Sequence, residues 1–435
     1  MKVTIFWFRR DLRLDDNAGL YQALKSGYPV VPVFIFDTNI LNDLQGKADK
    51  RVAFIHNTLQ DMQKKLRDVG ASLHVLHDKP LAAYQKLLKE YEVQAVYTNT
   101  DYEPYARQRD EEIAKLLLEK NIPLYSYKDQ VIFEKNEVIK DNVQPYSVYT
   151  PYSRRWKEKL NPFYLRPYPC HKYFDNFRKH KAIAIPALED MGFTPVDYDL
   201  VRPTLNEAIA KDYDKTRDIP SINGTTRLSV HLRFGTISIR QLAAQAHRLN
   251  EKLLNELIWR DFYQMILWHY PNIVTESFHK EYDNIKWRNN EHEFQLWCAG
   301  NTGYPIVDAG MRELNQTGYM HNRVRMVVAS FLTKHLLIDW RWGEAYFGSK
   351  LLDYDLASNN GGWQWAAGSG CDAAPYFRIF NPYLQTKKFD PEFRYIRKWV
   401  PEFESPSYPR PMVAHDEARK RCLVVYKAAI GEKMK

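Results

Sequence analysis

The densest group of chemically active side chains lies between residues 353 and 365. It reads Asp353-Tyr354-Asp355-Leu356-Ala357-Ser358-Asn359-Asn360-Gly361-Gly362-Trp363-Gln364-Trp365. Two carboxylates two residues apart, followed by two amides, can hydrogen-bond the edge of a polar heterocycle. The two glycines let the backbone approach a flat ligand closely. A simpler interpretation is a glycine turn beside core tryptophans, because tryptophan is most often a packing residue.

A surplus of positive charge favours a polyanionic partner. The 435 residues include 62 Lys and Arg against 53 Asp and Glu, which gives a net charge of +9. The pI is about 9.0. Such a surplus is typical of nucleic-acid-binding proteins, although many basic proteins bind none. Nine of the 11 tryptophans follow residue 258, so the end of the chain differs chemically from its beginning.

The sequence predicts neither a membrane protein nor a secreted one. Mean hydropathy is -0.54, and no run approaches the roughly 18 apolar residues that a membrane helix needs. The first residues lead directly into Arg9-Arg10-Asp11, without the apolar centre or cleavage site of a signal peptide. The 4 cysteines are far apart and have no metal-binding or redox spacing. We therefore expect a cytoplasmic protein with no metal site and no disulfide framework.

The first third of the chain predicts an α/β domain. Short runs of β-forming residues predict strands at 3–8, 30–36, 72–76, 93–97 and 123–127. The segments between them have the three- and four-residue apolar spacing of helices. This alternation implies a parallel sheet covered on both faces, whose ligands bind beyond the carboxyl ends of the strands. No G-x-G-x-x-G follows the first run, so we expect no standard dinucleotide site there.

The rest of the chain predicts a connector and a helical domain. Residues 131–200 are rich in Tyr and Pro, which favours a segment that wraps around the folded domains. The segment 242–270 lacks Pro and Gly and predicts one long helix, whereas the helical pattern of 310–337 is interrupted at Gly318. We expect an α/β domain over 1–130, a connector over 131–200 and a helical domain over 201–435.

Several motifs resemble those of the photolyase/cryptochrome family and follow the same order. The segment 359–365, followed by Asp-Ala-Ala-Pro-Tyr-Phe-Arg-Ile-Phe-Asn-Pro at 372–382, resembles its flavin-binding signature. Further resemblances lie at 7–13, 149–152, 226–229, 255–260, 302–309 and 320–326. The resemblance implies an N-terminal Rossmann-like parallel-sheet antenna domain and a C-terminal all-helical domain that binds FAD in a U-shaped conformation.

Within the family, the chain is most similar to class I cyclobutane pyrimidine dimer photolyases. That similarity implies a carbon–carbon lyase for light-dependent DNA repair, in which excited reduced FAD transfers an electron to a pyrimidine dimer and splits it. The dimer must be flipped out of the duplex, at a cost of a few kcal/mol. The residues that the resemblance assigns to the dimer or its phosphates are Glu256, Trp259, Trp365, Asn322, Arg323, Met326 and Arg217.

The resemblance assigns a second group of residues to FAD. They are Tyr213, Thr225, Thr226, Leu228, Ser229, Arg325, Asp353, Asp355 and Asn359. Arg325 and Asp353 match an ion pair beside the flavin ring, Asp355 matches an acceptor at the ring edge, and Asn359 matches the side chain that faces N5. The alternative for one of the two aspartates is a helix cap.

The resemblance also assigns electron-transfer and antenna residues. Trp363, Trp340 and Trp287 match a chain of tryptophans that leads from the flavin to the surface, and with Glu256 and Asn359 they complete the implied catalytic set. A packing role is the alternative for Trp340, which lies in an apolar helical pattern. A second, antenna chromophore is implied, and folate, deazaflavin and flavin all stay open. Glu103 matches an antenna-binding position.

Two other functions within the family stay open. A cryptochrome-type blue-light photoreceptor would share the fold, FAD and the tryptophans. A (6-4) photolyase is less favoured, because it carries a His-His pair where this chain has His321-Asn322. We expect a monomer that binds UV-damaged DNA containing pyrimidine dimers and has no membrane partner. Asp261, Tyr319 and Cys371 depart from the common family pattern.

Overall fold

A computed structural model describes residues 1–431, and their contacts divide the chain into two compact units. The first unit contains Met1–Glu134, Glu158–Leu205 and Arg227–Arg248. The second contains Lys135–Lys157, Asn206–Thr226 and the described residues from 249 onward. The segment expected as a connector therefore contributes to both units. Among the described residues, no helix is both long enough and apolar enough to cross a membrane.

A parallel sheet of five strands forms the centre of the first unit. The strands are β1 (Lys2–Phe8), β2 (Val30–Asp37), β3 (His74–Asp78), β4 (Glu92–Asn99) and β5 (Leu124–Tyr127). Their spatial order is β3-β2-β1-β4-β5. β2 is buried along its whole length because it is apolar on both faces, as expected of a strand covered by helices on both sides. The predicted α/β class and all five predicted strands are confirmed.

The helices are numbered along the chain. They are α1 (Ala18–Leu24), α2 (Thr38–Leu41), α3 (Lys50–Asp68), α4 (Pro80–Glu90), α5 (Pro104–Leu118), α6 (Tyr149–Lys159), α7 (Glu207–Lys211), α8 (Tyr213–Thr216), α9 (Ser229–Phe234), α10 (Ile239–Leu249), α11 (Glu251–His269), α12 (Glu291–Ala299), α13 (Pro305–Thr317), α14 (Asn322–Ser330), α15 (Trp340–Lys350), α16 (Leu356–Ala367), α17 (Pro382–Phe389), α18 (Arg394–Trp399) and α19 (His415–Ala429). Short 3-10 helices occupy Cys170–Asn176, Glu189–Met191, Pro271–Val274 and Lys280–Asn284, and a π-helical turn occupies Phe331–His335.

A buried ion-pair network joins α10, in the last segment of the first unit, to the segment Met1–Glu134, which contains the sheet. Arg240 on α10 donates from Nε to Asp16 Oδ1 at 2.8 Å and from Nη2 to Asp129 Oδ1 at 2.7 Å. Asp129 also accepts from Arg13 Nη2 at 2.6 Å. Buried charges are tolerated only when they are paired, so this network fixes α10 to the sheet-bearing part of the unit.

The regular secondary structure of the second unit is all helical within the described residues, as predicted for the C-terminal part of the chain. Its main hydrophobic cluster includes Trp297, Val328, Trp340 and Trp363, which are all at most 2% exposed. The predicted interruption at Gly318 is confirmed, because α13 ends there and the glycine has a φ of 75°.

The prediction of one helix over 242–270 is wrong. α10 ends at Leu249 and α11 begins at Glu251. Asn250 between them is extended, and its side chain accepts hydrogen bonds from the backbone N–H groups of Lys252 and Leu253. An N-cap of this kind starts a new helix without any Pro or Gly, which is why the absence of both residues misled the prediction.

Candidate active site

Helix α11 carries two of the residues assigned to the lesion on one face. Glu256 and Trp259 are three positions apart and therefore neighbours on the helix surface. Both are partly exposed. The indole of Trp259 stacks on the ring of Tyr149, with centroids 3.7 Å apart and ring planes 3° from parallel. The ring of Tyr149 thus covers one face of the indole.

Tyr149 is itself held at both ends. Its backbone N–H donates to Asp372 Oδ2 at 3.1 Å, and its hydroxyl donates to the carbonyl oxygen of Asn255 at 3.0 Å. Further along α6, the indole N–H of Trp156 donates to the buried carboxylate of Asp261 on α11, at 3.0 Å. Asp261 is one of the departures from the family pattern, and here its carboxylate joins α11 to the helix that begins with Tyr149.

The carboxylate of Glu256 is paired with Arg217. Arg217 Nη1 donates to Glu256 Oε1, and the two side chains are 24% and 31% exposed. Burial raises the pKa of Glu256, and the Arg217 guanidinium acts in the opposite direction. The arginine expected to face a DNA phosphate is therefore bonded to the acid expected to face the base.

Helix α14 carries three more of the assigned residues in its first turns. Asn322 is exposed, while Arg323 and Met326 are partly buried. Arg323 Nη2 donates to Asp218 Oδ1 at 2.8 Å. His321 caps the helix, since its Nδ1 accepts the backbone N–H of Arg323 at 3.2 Å. Arg217 and Arg323 thus each hold a carboxylate at this site.

Helix α16 places its two tryptophans in different surroundings. Trp363 is 2% exposed, whereas Trp365 is only partly buried. Trp365 lies four residues after Gly361 and shares its helix face. A Cβ at Gly361 would lie 2.3 Å from the ring of Tyr263, whose centroid is 5.4 Å from that of Trp259. The missing side chain of Gly361 therefore makes room for the Tyr263 ring of α11, and not for a ligand as the sequence suggested. The face of α16 that carries Trp365 consequently lies toward α11.

The neighbouring glycines Gly361 and Gly362 provide a matched stability test. We expect Gly361→Ala to lower the free energy of unfolding by about 1–3 kcal/mol, because the new methyl group overlaps the ring of Tyr263. Gly362→Ala meets no atom within 4 Å and should be neutral or stabilising by up to about 1 kcal/mol, since alanine favours helix. Urea unfolding of both variants measures the difference, and equal stabilities would contradict the close contact.

Arg325 and Asp353 form an ion pair. Arg325 Nη2 lies 3.1 and 2.9 Å from the two oxygens of Asp353, and the side chains are 25% and 5% exposed. Arg325 Nε also donates to the carbonyl oxygen of Met320 at 2.8 Å. Burial alone would lower the pKa of Arg325, but the Asp353 carboxylate more than compensates and raises it. The guanidinium therefore stays charged.

Asp355 is the N-cap of helix α16, as the helix-cap alternative predicted for one of the two aspartates. Its Oδ1 accepts from the backbone N–H of Ser358 at 3.0 Å. Gln264 Nε2 donates to Asp355 Oδ1 and Oδ2 at 3.2 and 3.0 Å. Gln264 Oε1 is buried and has no hydrogen-bond partner in the described part of the chain. The cap leaves the carboxylate other lone pairs, so it does not exclude a ligand contact.

The amide of Asn359 is oriented by Glu344. Asn359 Nδ2 donates to Glu344 Oε1 at 2.8 Å and to the Glu344 carbonyl oxygen at 3.2 Å. With its nitrogen engaged on α15, Asn359 offers its carbonyl oxygen to a ligand. Burial raises the pKa of Glu344, while its hydrogen bond from Asn359 lowers it.

The remaining five residues assigned to FAD are all buried or partly buried. Tyr213 is buried at the start of α8, and Thr225 Oγ1 lies 3.4 Å from the hydroxyl of Tyr319, both in the second unit. Thr226 is partly buried and also belongs to the second unit. Leu228 is 1% exposed, and Ser229 begins α9 in the first unit. The assignment of these five residues to FAD stays a prediction.

The three tryptophans assigned to electron transfer differ in depth. Trp363 and Trp340 are 2% and 1% exposed within one cluster, and Trp287 packs against that cluster while remaining partly exposed. Trp287 is the most exposed of the three, and the assignment of the three tryptophans to electron transfer stays a prediction. Trp297 was not singled out from the sequence, although its ring lies 6.1 Å from that of Trp363.

The polar side chains around α16 fit a flavin. They combine the Arg325 cation, the Asp355 acceptor, the carbonyl of Asn359 and the buried Gln264 Oε1, which has no partner among residues 1–431. A heterocycle that both donates and accepts hydrogen bonds is the ligand that such a mixed set can satisfy. These residues can therefore hold the ring system of FAD.

Comparison with known proteins identifies the family. Residues 4–172 match the family model of DNA photolyase. Residues 253–407 match the model of the FAD binding domain of DNA photolyase. The chain belongs to the DNA photolyase family.

Individual relatives are similar over nearly the whole chain. A deoxyribodipyrimidine photo-lyase of Synechococcus sp. is 38% identical, over 98% of each chain. A class III photolyase of Agrobacterium tumefaciens has a TM-score of 0.87 at 33% identity, covering 99% of this chain and 98% of its own. A photolyase of Sulfolobus tokodaii with two FAD molecules has a TM-score of 0.85 at 36% identity, covering 98% of this chain and 100% of its own.

Proposed function

We propose that the protein is a light-dependent DNA repair enzyme that splits cyclobutane pyrimidine dimers. The observation that carries the proposal is the wall formed on α11, where Trp259 is backed by Tyr149 on one face and lies one turn from the carboxyl of Glu256. A backed indole offers one flat apolar face, and the carboxyl offers a polar contact at its side. This combination suits a pair of covalently joined bases.

The two arginines and the net charge support DNA as the partner. A dimer inside a duplex is inaccessible, so it must be flipped into the site. Stacking on an aromatic face contributes about 1–3 kcal/mol per base, which offsets much of the cost of flipping. Arg217 and Arg323 are partly exposed and can bind the phosphates that flank the lesion.

Each residue of the proposed site has a separate role. Trp259 and Trp365 bind the faces of the dimer, and Glu256 in its protonated form donates to a pyrimidine carbonyl. Asn322 and Met326 contact the dimer from α14. FAD, when bound in its reduced form, supplies the absorption of light and the electron that opens the ring. Arg325, Asp353, Asp355 and Asn359 orient the flavin by charge and hydrogen bonds.

We also propose a second chromophore in the first unit. The Sulfolobus relative contains two FAD molecules, which supports a flavin as the antenna, and folate and deazaflavin are the other candidates. Glu103, which matches an antenna position, accepts from Arg10 and from Arg233, both at 2.7 Å. Acid extraction of the purified protein followed by chromatography would identify any pigment other than FAD.

Recovery of base absorbance tests the function directly. The reduced, FAD-loaded protein is incubated with an oligonucleotide containing one thymine dimer, and blue light should restore the ultraviolet absorbance of the bases. We expect Glu256→Ala to slow this recovery roughly 10- to 150-fold, the loss expected for one strong hydrogen bond to a buried partner. The variant should keep its flavin absorption spectrum.

The same assay separates the alternatives. A dark incubation is the control for light dependence, and an oligonucleotide with a (6-4) lesion is the control for substrate. Recovery with the (6-4) lesion alone would favour a (6-4) photolyase. A light-dependent change of the flavin without recovery on either lesion would favour a cryptochrome-type photoreceptor and overturn the proposal.

A further inference from the structure

Two side chains that must both act on the lesion neutralise each other in the free protein. Arg217 donates to Glu256, and neither side chain is more than 31% exposed. A carboxyl group that accepts from a guanidinium is ionised, and an ionised carboxylate has no hydrogen to donate. It would also repel the oxygen of a pyrimidine carbonyl. Binding of the dimer therefore requires a change at this pair.

The DNA itself can make that change. A phosphate flanking the flipped dimer is an anion that competes with Glu256 for the guanidinium. We propose that binding of dimer-containing DNA is coupled to the uptake of a proton by Glu256, because the phosphate draws Arg217 away from the carboxylate. This inference rests on the proposed function. The charges balance, since Arg217 pairs with the phosphate and Glu256 becomes neutral with a proton taken from solvent.

The groups around Glu256 favour the neutral form once Arg217 is engaged. On α11, Lys252 is exposed, and Tyr263 is a neutral phenol. Tyr149 on α6 and Tyr213 on α8 are also neutral phenols, since burial raises the pKa of each hydroxyl well above its ordinary value.

Beyond those phenols, Asp218 adds a negative charge that raises the pKa of Glu256. Lys252 is thus the cation left on α11 beside the carboxyl, and it is well solvated. A phosphate adds further negative charge at the same place, which favours protonation again.

The second arginine provides a built-in comparison. Arg323 pairs with Asp218, whose side chain is 43% exposed. Asp218 can return to water when Arg323 binds a phosphate, so it needs no proton. Loss of Arg323 should therefore weaken DNA binding without removing the coupling.

Calorimetric titration in the dark tests the coupling. FAD-loaded protein is titrated with an oligonucleotide containing one thymine dimer, in buffers of different ionisation enthalpy, so that proton uptake is measured directly. We expect net uptake and an affinity that falls by up to about tenfold per pH unit between the pKa of Glu256 in free and bound protein. Lower pH favours binding because the bound state holds the extra proton.

Three variants assign the proton to its residue. Glu256→Gln should still bind dimer DNA, because the amide N–H donates a hydrogen bond at any pH. Its binding should show no proton uptake, and its affinity should not depend on pH. Arg217→Gln should bind more weakly and also lose uptake, since Glu256 is then already neutral in the free protein. Arg323→Gln should bind more weakly yet keep the uptake.

The outcomes distinguish this inference from the function on which it rests. Equal affinity for damaged and undamaged DNA would count against the proposed function. Preference for the dimer without proton uptake would overturn the coupling alone. Uptake that persists in Glu256→Gln would place the proton elsewhere and would overturn it as well.

Discussion

Replacing Arg325 by Met is expected to lower the free energy of unfolding by about 3–5 kcal/mol, because a buried carboxylate then loses its cation. Asp353 is 5% exposed, and its two oxygens lie 2.9 and 3.1 Å from Arg325 Nη2. Methionine retains much of the apolar stem but not the charge. Urea unfolding at a fixed FAD concentration measures the loss, since bound cofactor shifts the apparent stability.

Arg397→Met is the matched control for this substitution. Arg397 pairs with Glu404 at 3.0 Å, a normal ion-pair distance, but the two side chains are 52% and 62% exposed. Water solvates both charges, so removal of this pair should leave the unfolding transition close to that of the wild type. If Arg325→Met is no more harmful than Arg397→Met, Asp353 is not held in the way the structure indicates.

Removal of either tryptophan of the proposed lesion wall should weaken binding of dimer-containing DNA by about 5- to 150-fold. This range corresponds to about 1–3 kcal/mol for loss of one aromatic stacking surface. Trp259→Ala and Trp365→Ala are both informative, because the first residue is backed by Tyr149 and the second lies on α16. Fluorescence anisotropy in the dark, with damaged and undamaged DNA of the same sequence, gives both affinities.

Trp268→Ala serves as the control for that experiment. Trp268 lies on α11 nine residues after Trp259, which places it on the opposite side of the helix. It is partly exposed and lies beneath the Lys135 ammonium, 4.8 Å from its ring centroid. We expect its loss to leave the preference for damaged DNA unchanged. A similar loss of preference in all three variants would indicate a general effect on α11.

Local patterns predicted the elements wherever one segment determined its own structure. The strands could be identified because runs such as Val30–Asp37 are β-forming and buried on both faces. Gly318 could be identified as a helix end because its left-handed backbone favours glycine. The break at Asn250 was missed because asparagine is compatible with helix in sequence and acts as a cap only through its side-chain geometry.

The composition of the candidate site was predictable, but its partnerships were not. The family motifs named Glu256, Arg217 and Trp259, yet Arg217 and Glu256 are 39 positions apart and their pairing depends on the tertiary fold. Tyr149 lies in the family motif at 149–152, but its stacking on Trp259 depends on the packing of α6 against α11.

Glu344 and Gln264, which orient Asn359 and Asp355, were not identified from the sequence. Isolated polar residues inside helical patterns give no local signal of what they contact. For Asp218 a signal was available, since this acid directly follows the assigned Arg217.

Because the segments of the two units alternate along the chain, neither unit can finish folding until late in its synthesis at the ribosome. The sheet is complete by residue 127, but Arg240, which neutralises Asp16 and Asp129, is translated more than a hundred residues later. At typical elongation rates this delay is on the order of ten seconds. During that time Asp16 lacks the guanidinium of Arg240, and Asp129 has only that of Arg13. The segment Lys135–Lys157 must likewise wait for residues beyond 249 before its own unit can form.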